Sequence, residues 1–319
     1  MNSLREIANV IKKCKSAVIF THGRPDGDTI GCALALSRAL LLLEIENEVV
    51  NEGEIPARYL FLEGARKIKC APTLDADCYI CVDASDENRL GLLRDTYLAG
   101  ARSKTTINID HHVSNKRYAK YNFVQERASN CENIAELLKE LGVEYTPQIA
   151  EALMTGMVTD SGCFSHSDVN GDSFRAAAQM TDVGADVGKI NYETIKKQSR
   201  PRAQFYLKVL SKLRFLLDDQ LAVAIVTQEL LKEFNLSSDA TEGIVDFGLT
   251  IDTTEVSVCI FEVKKGQYKV SFRSKGRVDV NEVAGVFGGG GHVLASGCMI
   301  FGELEEVVDK IRYAVYQRL

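Results

Sequence analysis

Two histidines and an aspartate stand side by side in the segment "INIDHHVSN", residues 107 to 115. An apolar-rich run leads into Asp110, His111 and His112, and turn-forming residues follow them. This order is typical of a buried parallel strand that ends at a functional site. A lone histidine there would be an ordinary loop residue, so the interpretation depends on whether metal-binding residue types also follow other strands.

The first strand-like run of the chain leads into a segment with the same residue types, "THGRPDGDTIG". His22, Asp26 and Asp28 follow an H-x-x-x-D-x-D spacing at a predicted strand-to-helix turn, and the glycines and proline between them favour a tight loop. Asp28, directly before "TIGCALAL", suits a helix N-cap. Asp26 is expected to have no capping role of its own, which favours a chemical role for the set.

Two further aspartates occupy comparable places. Asp83 lies at the tip of the strand-like run "CYICVD", and Asp160 follows an apolar helical stretch in "GMVTDSGCF". Each alone could equally be a loop or capping residue. All of these side chains, however, fall at the carboxyl ends of elements in one predicted α/β domain, which is the usual place for a site in such sheets.

The residue types indicate the class of ion. Imidazoles mixed with carboxylates, without a thiolate, suit Mn²⁺ or similar ions better than structural zinc. There are too many ligands for one ion but enough for two that share an aspartate. Two ions about 3.5–4 Å apart activate water and stabilise the charge of phosphoryl transfer.

The one C-x-x-C, Cys78 to Cys81, lies in a predicted strand whose alternation sends the thiols to opposite faces, so we expect no metal or redox site there.

The first half of the chain predicts the elements that must position these residues. Strand-like runs alternate with apolar or amphipathic helical patterns, which predicts a parallel sheet with helices on both faces. The runs are at 16 to 22, 46 to 51, 78 to 83 and 105 to 110, and the helical patterns include 29 to 43 and 133 to 142. We therefore predict an α/β domain over residues 1–185, followed by a helical linker over residues 186–214 that Pro201 interrupts.

The last part of the chain, residues 215–319, predicts a smaller α+β domain. A strand "LAVAIVT", a hairpin that turns at Lys265-Gly266, a short helix, a strand "LASGCMIF" and an amphipathic helix over 303 to 319 follow in order. Between the short helix and the last strand lies the glycine run "FGGGGH".

The glycine run has two interpretations. Gly288, Gly289, Gly290 and Gly291 could let backbone N–H groups approach an anion closely, or they could form a flexible loop. Because His292 follows the run and Arg273 and Ser274 stand at a predicted strand end, we expect a pocket for a terminal phosphate of a substrate.

The composition limits the classes of protein. With 319 residues, 45% of them hydrophobic and 26% charged, the chain is typical of a two-domain globular enzyme. A formal charge of −6 argues against a surface that coats long nucleic acids. We find no signal-peptide pattern and no apolar run of about 18 residues, and we expect the nine cysteines to be reduced thiols, so we predict a cytoplasmic protein that does not bind membranes.

Four segments in order, "HGRPDGD", "VDASD", "DHH" and "TDSG", resemble the motifs of the DHH phosphoesterase superfamily. The later segments "FRSK", "VNEVAGVFGGGGH" and "ASG" resemble the associated DHHA1 substrate-binding domain. The resemblance covers essentially the whole chain and is greatest to the branch of nanoRNases (oligoribonucleases) that are also phosphatases of adenosine 3′,5′-bisphosphate (pAp).

The resemblance implies roles for individual residues. It implies two Mn²⁺ ions, with Mg²⁺ or Co²⁺ as substitutes, and six ligands: His22 and Asp26 at the first ion, Asp28, His111 and Asp160 at the second, and Asp83 bridging both. It further implies that His112 faces the scissile phosphate as a stabiliser and that Asp110 orients an imidazole.

The activity implied is hydrolysis of short oligonucleotides to mononucleotides and removal of the 3′-phosphate of pAp, without a track for long nucleic acids. One alternative is a phosphodiesterase of cyclic dinucleotide breakdown, acting on pApA or cyclic di-AMP. An alternative of another class is a catalytically inactive nucleotide-binding module, which the complete ligand set disfavours. An inorganic pyrophosphatase or an exopolyphosphatase is disfavoured because the glycine-rich motif differs from that branch, and a homodimer is left open.

Three positions depart from the family pattern without touching a presumed ligand. Cys32 stands where serine is common, Ser296 replaces an alanine, and "SHSDVNGDSFRAAA", after Phe164, lacks a threonine-rich stretch that many members have. The last of these bears on substrate preference. We expect His166, in that segment, to be a loop residue.

Overall fold

The computed structural model describes residues 2–319 and divides into two compact units, the first ending at Lys197 and the second running from Gln198 to Leu319. The first unit contains five strands: β1 (Ser16–Phe20), β2 (Glu46–Val50), β3 (Cys78–Val82), β4 (Thr105–Asp110) and β5 (Tyr121–Val124). Its α-helices are α1 (Leu4–Ile11), α2 (Gly27–Leu42), α3 (Arg94–Ala101), α4 (Asn130–Leu141), α5 (Pro147–Asp160), α6 (Gly171–Asp182) and α7 (Val187–Asn191).

The five strands form one parallel sheet in the order β2-β1-β3-β4-β5, which confirms the predicted α/β class. Both faces of the sheet are buried. Ile19 and Ile80 belong to the larger hydrophobic core, whereas Phe20 and Cys81 belong to a second core on the other face. Cys78 lies in the larger core, so the two thiols of the C-x-x-C sequence do point to opposite faces.

The sequence prediction missed one strand of this sheet and placed one helix start too late. β5 was not predicted, although its sequence "YNFV" contains the aromatic and β-branched residues that strands favour. The helix expected from residue 133 begins at Asn130, because the Ser129 side chain accepts a hydrogen bond from the Cys131 N–H and caps it. Its end was predicted correctly: Gly142, with φ 73°, is the C-cap.

The second unit contains a six-stranded mixed sheet in the order β10-β11-β9-β8-β7-β6, in which only the β7–β8 pair is parallel among the described residues. The strands are β6 (Arg214–Leu216), β7 (Leu221–Val226), β8 (Val256–Lys264), β9 (Gln267–Ser274), β10 (Gly290–His292) and β11 (Ala295–Phe301). The α-helices are α8 (Arg200–Leu210), α9 (Gln228–Glu233), α10 (Ile244–Phe247), α11 (Val280–Gly285) and α12 (Leu304–Tyr316).

This unit has the predicted α+β character. The hairpin turns at Lys265-Gly266, where Gly266 has φ 74°. Pro201 lies in the first turn of α8, a position that does not need its missing N–H group. The predicted domain limits, at residue 185 for the first domain and residue 215 for the second, stay predictions. Over residues 2–319, none of the helices has both the length and the apolar character that crossing a bilayer requires.

A buried carboxylate fastens the edge strand β2 to the segment that leads into β3. Glu48 is 8% exposed and accepts hydrogen bonds from the Lys69 ammonium group (2.6 Å), from the Thr73 N–H (2.6 Å) and from the Leu74 N–H (2.8 Å). Burial acts to raise the pKa of Glu48, but these partners outweigh burial and lower the pKa to about 2. The carboxylate therefore stabilises the fold only while it is ionised.

We predict that Glu48→Gln reduces the pH dependence of stability in acid. Because the pKa of Glu48 is about 2 in the folded protein and about 4.3 in an unfolded chain, its contribution is fully present above about pH 4.5. The contribution is lost as the pH falls toward 2. With allowance for the half-exposed Lys69, the variant should be less stable than wild type by roughly 2 kcal/mol at pH 7, and this gap should shrink by pH 2.5.

Urea unfolding of both proteins at the two pH values measures the gap. Glu46→Gln, an exposed glutamate on the same strand, is the matched control and should be nearly neutral at both. A gap for Glu48→Gln that is equally large at pH 7 and pH 2.5 would contradict the assignment.

Candidate active site

Three neighbouring parallel strands bring the predicted site residues to one edge of the first sheet. β1, β3 and β4 are adjacent, and their carboxyl ends lead into His22, Asp83 and the Asp110–His112 triplet. The start of α2 and the last residue of α5, Asp160, reach the same edge. The location is the one expected for a site in an open α/β sheet.

The six predicted metal ligands lie in two groups that meet at Asp83. In the first group, His22 Nε2 is 3.3 Å from Asp26 Oδ2 and 3.6 Å from Asp83 Oδ2. In the second, His111 Nε2 is 3.4 Å from Asp83 Oδ1, 3.5 Å from Asp160 Oδ2 and 3.9 Å from Asp28 Oδ2. The ligand atoms of His22, Asp26 and Asp83, and likewise those of Asp28, His111 and Asp160, lie within 4.8 Å of one another. Asp83 thus faces one group with each carboxylate oxygen.

The backbone at Asp83 explains how one side chain faces both groups. Asp83 has φ 57°, in the left-handed region, directly after β3 ends. Its N–H donates to the Ile109 carbonyl (3.0 Å), which ties this turn to β4. Aspartate and asparagine tolerate the left-handed region better than most residues, and strain of this kind is concentrated at functional sites.

The expected roles of the first two aspartates need a correction. The N-cap of α2 is Asp26, not Asp28: Asp26 Oδ1 accepts from the N–H groups of Asp28 (3.1 Å) and Thr29 (3.0 Å). Asp28 lies one residue inside the helix, in its first turn. The prediction that Asp26 has no capping role was therefore wrong, because a carboxylate has two oxygens. Asp26 uses Oδ1 for the cap and leaves Oδ2 toward His22.

Asp28 is held in place by the start of another helix, which the sequence reasoning missed. It is buried and accepts hydrogen bonds from Ser129 Oγ (2.7 Å), the Asn130 N–H (2.6 Å) and the Cys131 N–H (3.0 Å). These groups form the N-terminus of α4, whose partial positive charge favours a carboxylate. The sequence signal was available in "ASNCEN", where Ser129 is a typical N-cap.

The two adjacent histidines are oriented by different acceptors. His111 Nδ1 donates to the Arg127 carbonyl (2.8 Å), which turns Nε2 toward the carboxylates. His112 Nδ1 donates to Asp110 Oδ1 (2.8 Å), and Asp110 Oδ2 accepts from the Asn115 amide (2.6 Å). Asp110 therefore orients an imidazole, as expected, and the imidazole is that of His112. Arg127 and Asn115 were missed because they carry no motif of their own.

The crowded carboxylates attract positive charge strongly. Burial, aided by repulsion from Asp83, raises the pKa of Asp28 to about 6, and burial with repulsion from Asp28 and Asp83 raises that of Asp160 to about 9. Burial acts to lower the pKa of both imidazoles, but the neighbouring carboxylates outweigh it. They raise the pKa of His22 to about 9 and that of His111 to about 11.

Two buried atoms show that the site fits metal ions. His22 Nε2 and Asp83 Oδ1 are buried, and neither makes a hydrogen bond to any of residues 2–319. Leaving a buried polar atom with only the longer charge contacts described above, and no hydrogen bond, is costly, whereas both atoms are good ligands for a divalent ion. A cation would also relieve the repulsion among the four carboxylates of the two groups.

The thiols near this edge do not change the expected type of ion. Cys32 and Cys131 lie behind Asp28, with their sulfurs 3.4 Å apart, and both are fully buried. Burial raises the pKa of each thiol far above neutral pH, so both are uncharged there. The imidazoles and carboxylates remain the charged or basic ligands of the site.

The predicted substrate-binding side chains of the second unit have partners within that unit. Arg273 Nε donates to Asp246 Oδ1 (2.9 Å), and its Nη1 donates to the Phe272 carbonyl (3.1 Å). The Ser274 hydroxyl is buried, donates to Glu255 (3.1 Å) and accepts from the Gly276 N–H (3.0 Å). His292 is exposed on β10. Arg273 and His292 therefore remain better candidates for substrate contact than Ser274.

The glycine run is less free than a loop or an anion pocket would require. At least three of its four N–H groups donate within the unit: Gly288 to the Gly285 carbonyl, Gly289 to the Ala284 carbonyl and Gly291 to Asn281 Oδ1. A Cβ on Gly289 would lie 2.3 Å from the Gly297 carbonyl oxygen, and one on Gly291 would lie 2.5 Å from that of Ala295. The run leads into the edge strand β10, which its last two glycines begin, and Gly289 and Gly291 permit the close approach to β11.

Comparisons with known proteins agree with the two-unit architecture. The model of the DHH family, N-terminal domain, matches residues 16–157, and the DHHA1 domain model matches residues 218–318. The bifunctional oligoribonuclease and PAP phosphatase NrnA of Thermus thermophilus is 30% identical over 99% of this chain and 94% of that protein.

Two further similarities place the chain among its relatives. The crystal structure of an exopolyphosphatase-related protein from Bacteroides fragilis has a TM-score of 0.89 and 26% identity, covering 98% of this chain and 95% of that one. The cyclic-di-AMP phosphodiesterase GdpP of Bacillus subtilis is 22% identical over 97% of this chain but only 49% of its own length. The two domain matches, the full-length relatives and the motif residues gathered at one sheet edge show that the chain is a hydrolase of the DHH–DHHA1 phosphoesterase family.

Proposed function

We propose that the protein hydrolyses short oligonucleotides to mononucleotides and removes the 3′-phosphate of pAp, using two Mn²⁺ ions bound at the edge of the first sheet. The observation that carries this proposal is Asp83, which offers one oxygen to each of two ligand groups. A carboxylate between two such groups is the arrangement that two-ion phosphoryl transfer needs. The proposed substrates are those for which the Thermus relative is named.

Each residue of the site has a defined task in this mechanism. His22, Asp26 and Asp83 would hold one ion, and Asp28, His111 and Asp160, again with Asp83, the other. When bound, the ions would activate water and neutralise charge on the phosphoryl group.

His112 completes the mechanism as the residue that faces the phosphate. His112 donates its Nδ1–H to Asp110, which leaves Nε2 to face the scissile phosphate, where an Nε2–H would stabilise the charge that develops on the phosphoryl group. Because the hydrogen bond from His112 lowers the pKa of Asp110 despite burial, Asp110 stays ionised and holds the ring.

The ligand types support Mn²⁺, and the net charge of the chain supports short substrates. Imidazole and carboxylate ligands suit Mn²⁺, and they leave Mg²⁺ or Co²⁺ as substitutes. A chain of formal charge −6 offers little attraction for a long polyanion.

We place the activity in the cytoplasm, where the nine free thiols would stay reduced. Cleavage of pApA, the alternative suggested by cyclic dinucleotide breakdown, uses the same chemistry and belongs in the same substrate panel.

We predict that activity requires two divalent ions per chain. Exhaustive EDTA treatment should reduce hydrolysis of pAp and of a dinucleotide to background, and added Mn²⁺ should restore it, because the ions supply the activated water. Elemental analysis of the reactivated enzyme should give about two manganese atoms per chain. Full activity after complete chelation, shown by the same analysis, would refute the two-ion mechanism.

We predict that Asp83→Asn lowers turnover by roughly three orders of magnitude or more, because it removes the charge shared by the two ions. Asparagine is a better substitution than alanine, since its side chain has the size of aspartate and it tolerates the left-handed backbone at this position. Thermal melting should show a folded protein. Asp86→Asn, three residues further on and outside both ligand groups, is the matched control and should retain most activity. Near-normal turnover in a folded Asp83→Asn variant would make Asp83 a loop residue only.

We predict that mutations in the two units fail differently. His111→Ala should reduce turnover on every substrate, since it removes a ligand that all reactions share. Arg273→Ala should weaken chiefly those substrates that carry a phosphate or nucleotide beyond the scissile bond. One lost charge-assisted hydrogen bond corresponds to about a ten- to hundredfold fall in kcat/KM.

The control for Arg273→Ala is Arg214→Ala, an ion-paired arginine on β6, an edge strand of the same sheet. A small chromogenic phosphodiester, which has no distal phosphate, should be hydrolysed by Arg273→Ala almost as well as by wild type. Equal losses on the small and the nucleotide substrates in a folded Arg273→Ala protein would disprove a substrate-binding role for Arg273.

A further inference from the structure

An aromatic pair with one exposed ring belongs to the loop and helix that follow Asp160, and it has no task in the mechanism above. Phe164 and Phe174 stack with their ring centroids 5.5 Å apart and their planes at 28°. The Phe174 side chain is 56% exposed to solvent, although a phenylalanine on the first turn of a surface helix gains nothing from exposure. The two rings bracket the segment "SHSDVNGDSF", where the sequence departs from the pattern of the family.

The pair is fastened to the end of α5 that presents Asp160. The chain folds back immediately after this residue: the Phe164 N–H donates to Ser161 Oγ (2.8 Å), and the Ser165 N–H donates to the Ser161 carbonyl (2.9 Å). His166 Nδ1 donates to the carbonyl of Asp160 itself (2.9 Å). His166 is a loop residue, as expected, and it closes this loop onto a predicted metal ligand.

The backbone that carries Phe164 is strained. Gly162, Cys163 and Phe164 follow one another with φ 56°, 57° and 62°. The left-handed conformation costs a residue other than glycine about 1–2 kcal/mol, and strain of this kind is typically retained at binding or catalytic sites.

Phe174 is fixed from the other side by a helix cap. The Asn170 side chain accepts from the Asp172 N–H (2.8 Å), and Asn170 and Ser173 form a capping box at the start of α6. Ser173, next to Phe174, is buried, so the exposed ring stands on an anchored turn. Both members of the pair are therefore held on ordered backbone and not on a mobile tip.

We propose that the Phe164–Phe174 pair is a stacking surface for a nucleobase of the substrate, with Phe174 as the ring that the base contacts. This inference rests on the proposed function, because it assigns a base-binding element to the same phosphoester site. Aromatic side chains bind bases of single-stranded nucleic acids through the π-face that every base has, so such contacts tolerate different sequences. A surface of this kind suits an enzyme that must accept short oligonucleotides of any composition.

The kinetic test compares substrates with and without a base. Wild type and Phe174→Ala are assayed on pApA and on analogues in which one or the other nucleoside is replaced by an abasic residue. The ratio of kcat/KM for pApA to that for one of the abasic analogues should fall by about tenfold or more in Phe174→Ala, the size of one lost base–aromatic stack. Phe174→Tyr, which keeps the π-face, should retain the wild-type ratio.

Tyr192→Ala, an aromatic residue of similar exposure (54%) in the same unit, is the matched control and should leave the ratio unchanged. If Phe174→Ala lowers kcat/KM equally on all substrates, or does not lower it, the stacking role is overturned. If wild type hydrolyses none of the nucleotides, the proposed function fails and the inference fails with it.

A second measurement does not depend on turnover. The chain contains no tryptophan, so Phe174→Trp introduces its only indole. Its fluorescence should be quenched by pApA and not by the analogue that lacks the stacked base, and Tyr192→Trp should not respond to either. Equal responses of the Phe174→Trp protein to pApA and to both abasic analogues would overturn the proposal even if the protein hydrolyses pApA.

Discussion

Mutual repulsion among carboxylates at the edge of one sheet is the constraint on which the first unit depends. Asp28, Asp83 and Asp160 converge on His111 within 3.9 Å, and Asp28 and Asp83 are almost completely buried. Burial and repulsion raise the pKa values of Asp28 and Asp160, which makes the same place a strong binder of positive charge. Carboxylates that repel one another in this way destabilise the fold, and a role in binding catalytic metal ions explains why they lie together.

The fold supplies what this concentration of charge needs. Parallel strands place the carboxyl ends of β1, β3 and β4 side by side, and the N-terminus of α4 donates two N–H groups to Asp28. The imidazoles are each fixed through Nδ1, His111 by a backbone carbonyl and His112 by Asp110. Adjacent histidines with different acceptors can therefore take different tasks, one toward metal and one toward the phosphate.

Residue types at the ends of strands and helices allowed the parallel sheet and the convergence of histidines and aspartates on one edge to be predicted, because apolar runs mark strands and their ends must meet. The choice of six ligands among them came from the resemblance to the family. The partners of those side chains could not be predicted in the same way. Arg127 contributes a carbonyl and Asn130 an N–H, and every residue has both groups.

Other differences between the prediction and the structure have separate causes. Asp26 is both cap and candidate ligand, which a single assignment from spacing excludes. The glycine run suggested an anion pocket, but contact with β11 is a sufficient reason for Gly289 and Gly291. β5 was missed because "YNFV" is short and flanked by polar residues.

The origin of the six ligand side chains in widely separated parts of the chain has a consequence for folding. They come from residues 22 to 160, on segments that follow β1, β3 and β4 and on α2 and α5, so an ion held by them would crosslink most of the first unit. Such an ion binds the native state and not the unfolded chain, and it adds about 2.7 kcal/mol of stability at a hundred times its dissociation constant. The population of folded enzyme would then follow the supply of the metal as well as the sequence. Metal starvation would expose the protein to proteolysis, so that abundance, and not only turnover, would report the metal status of the cell.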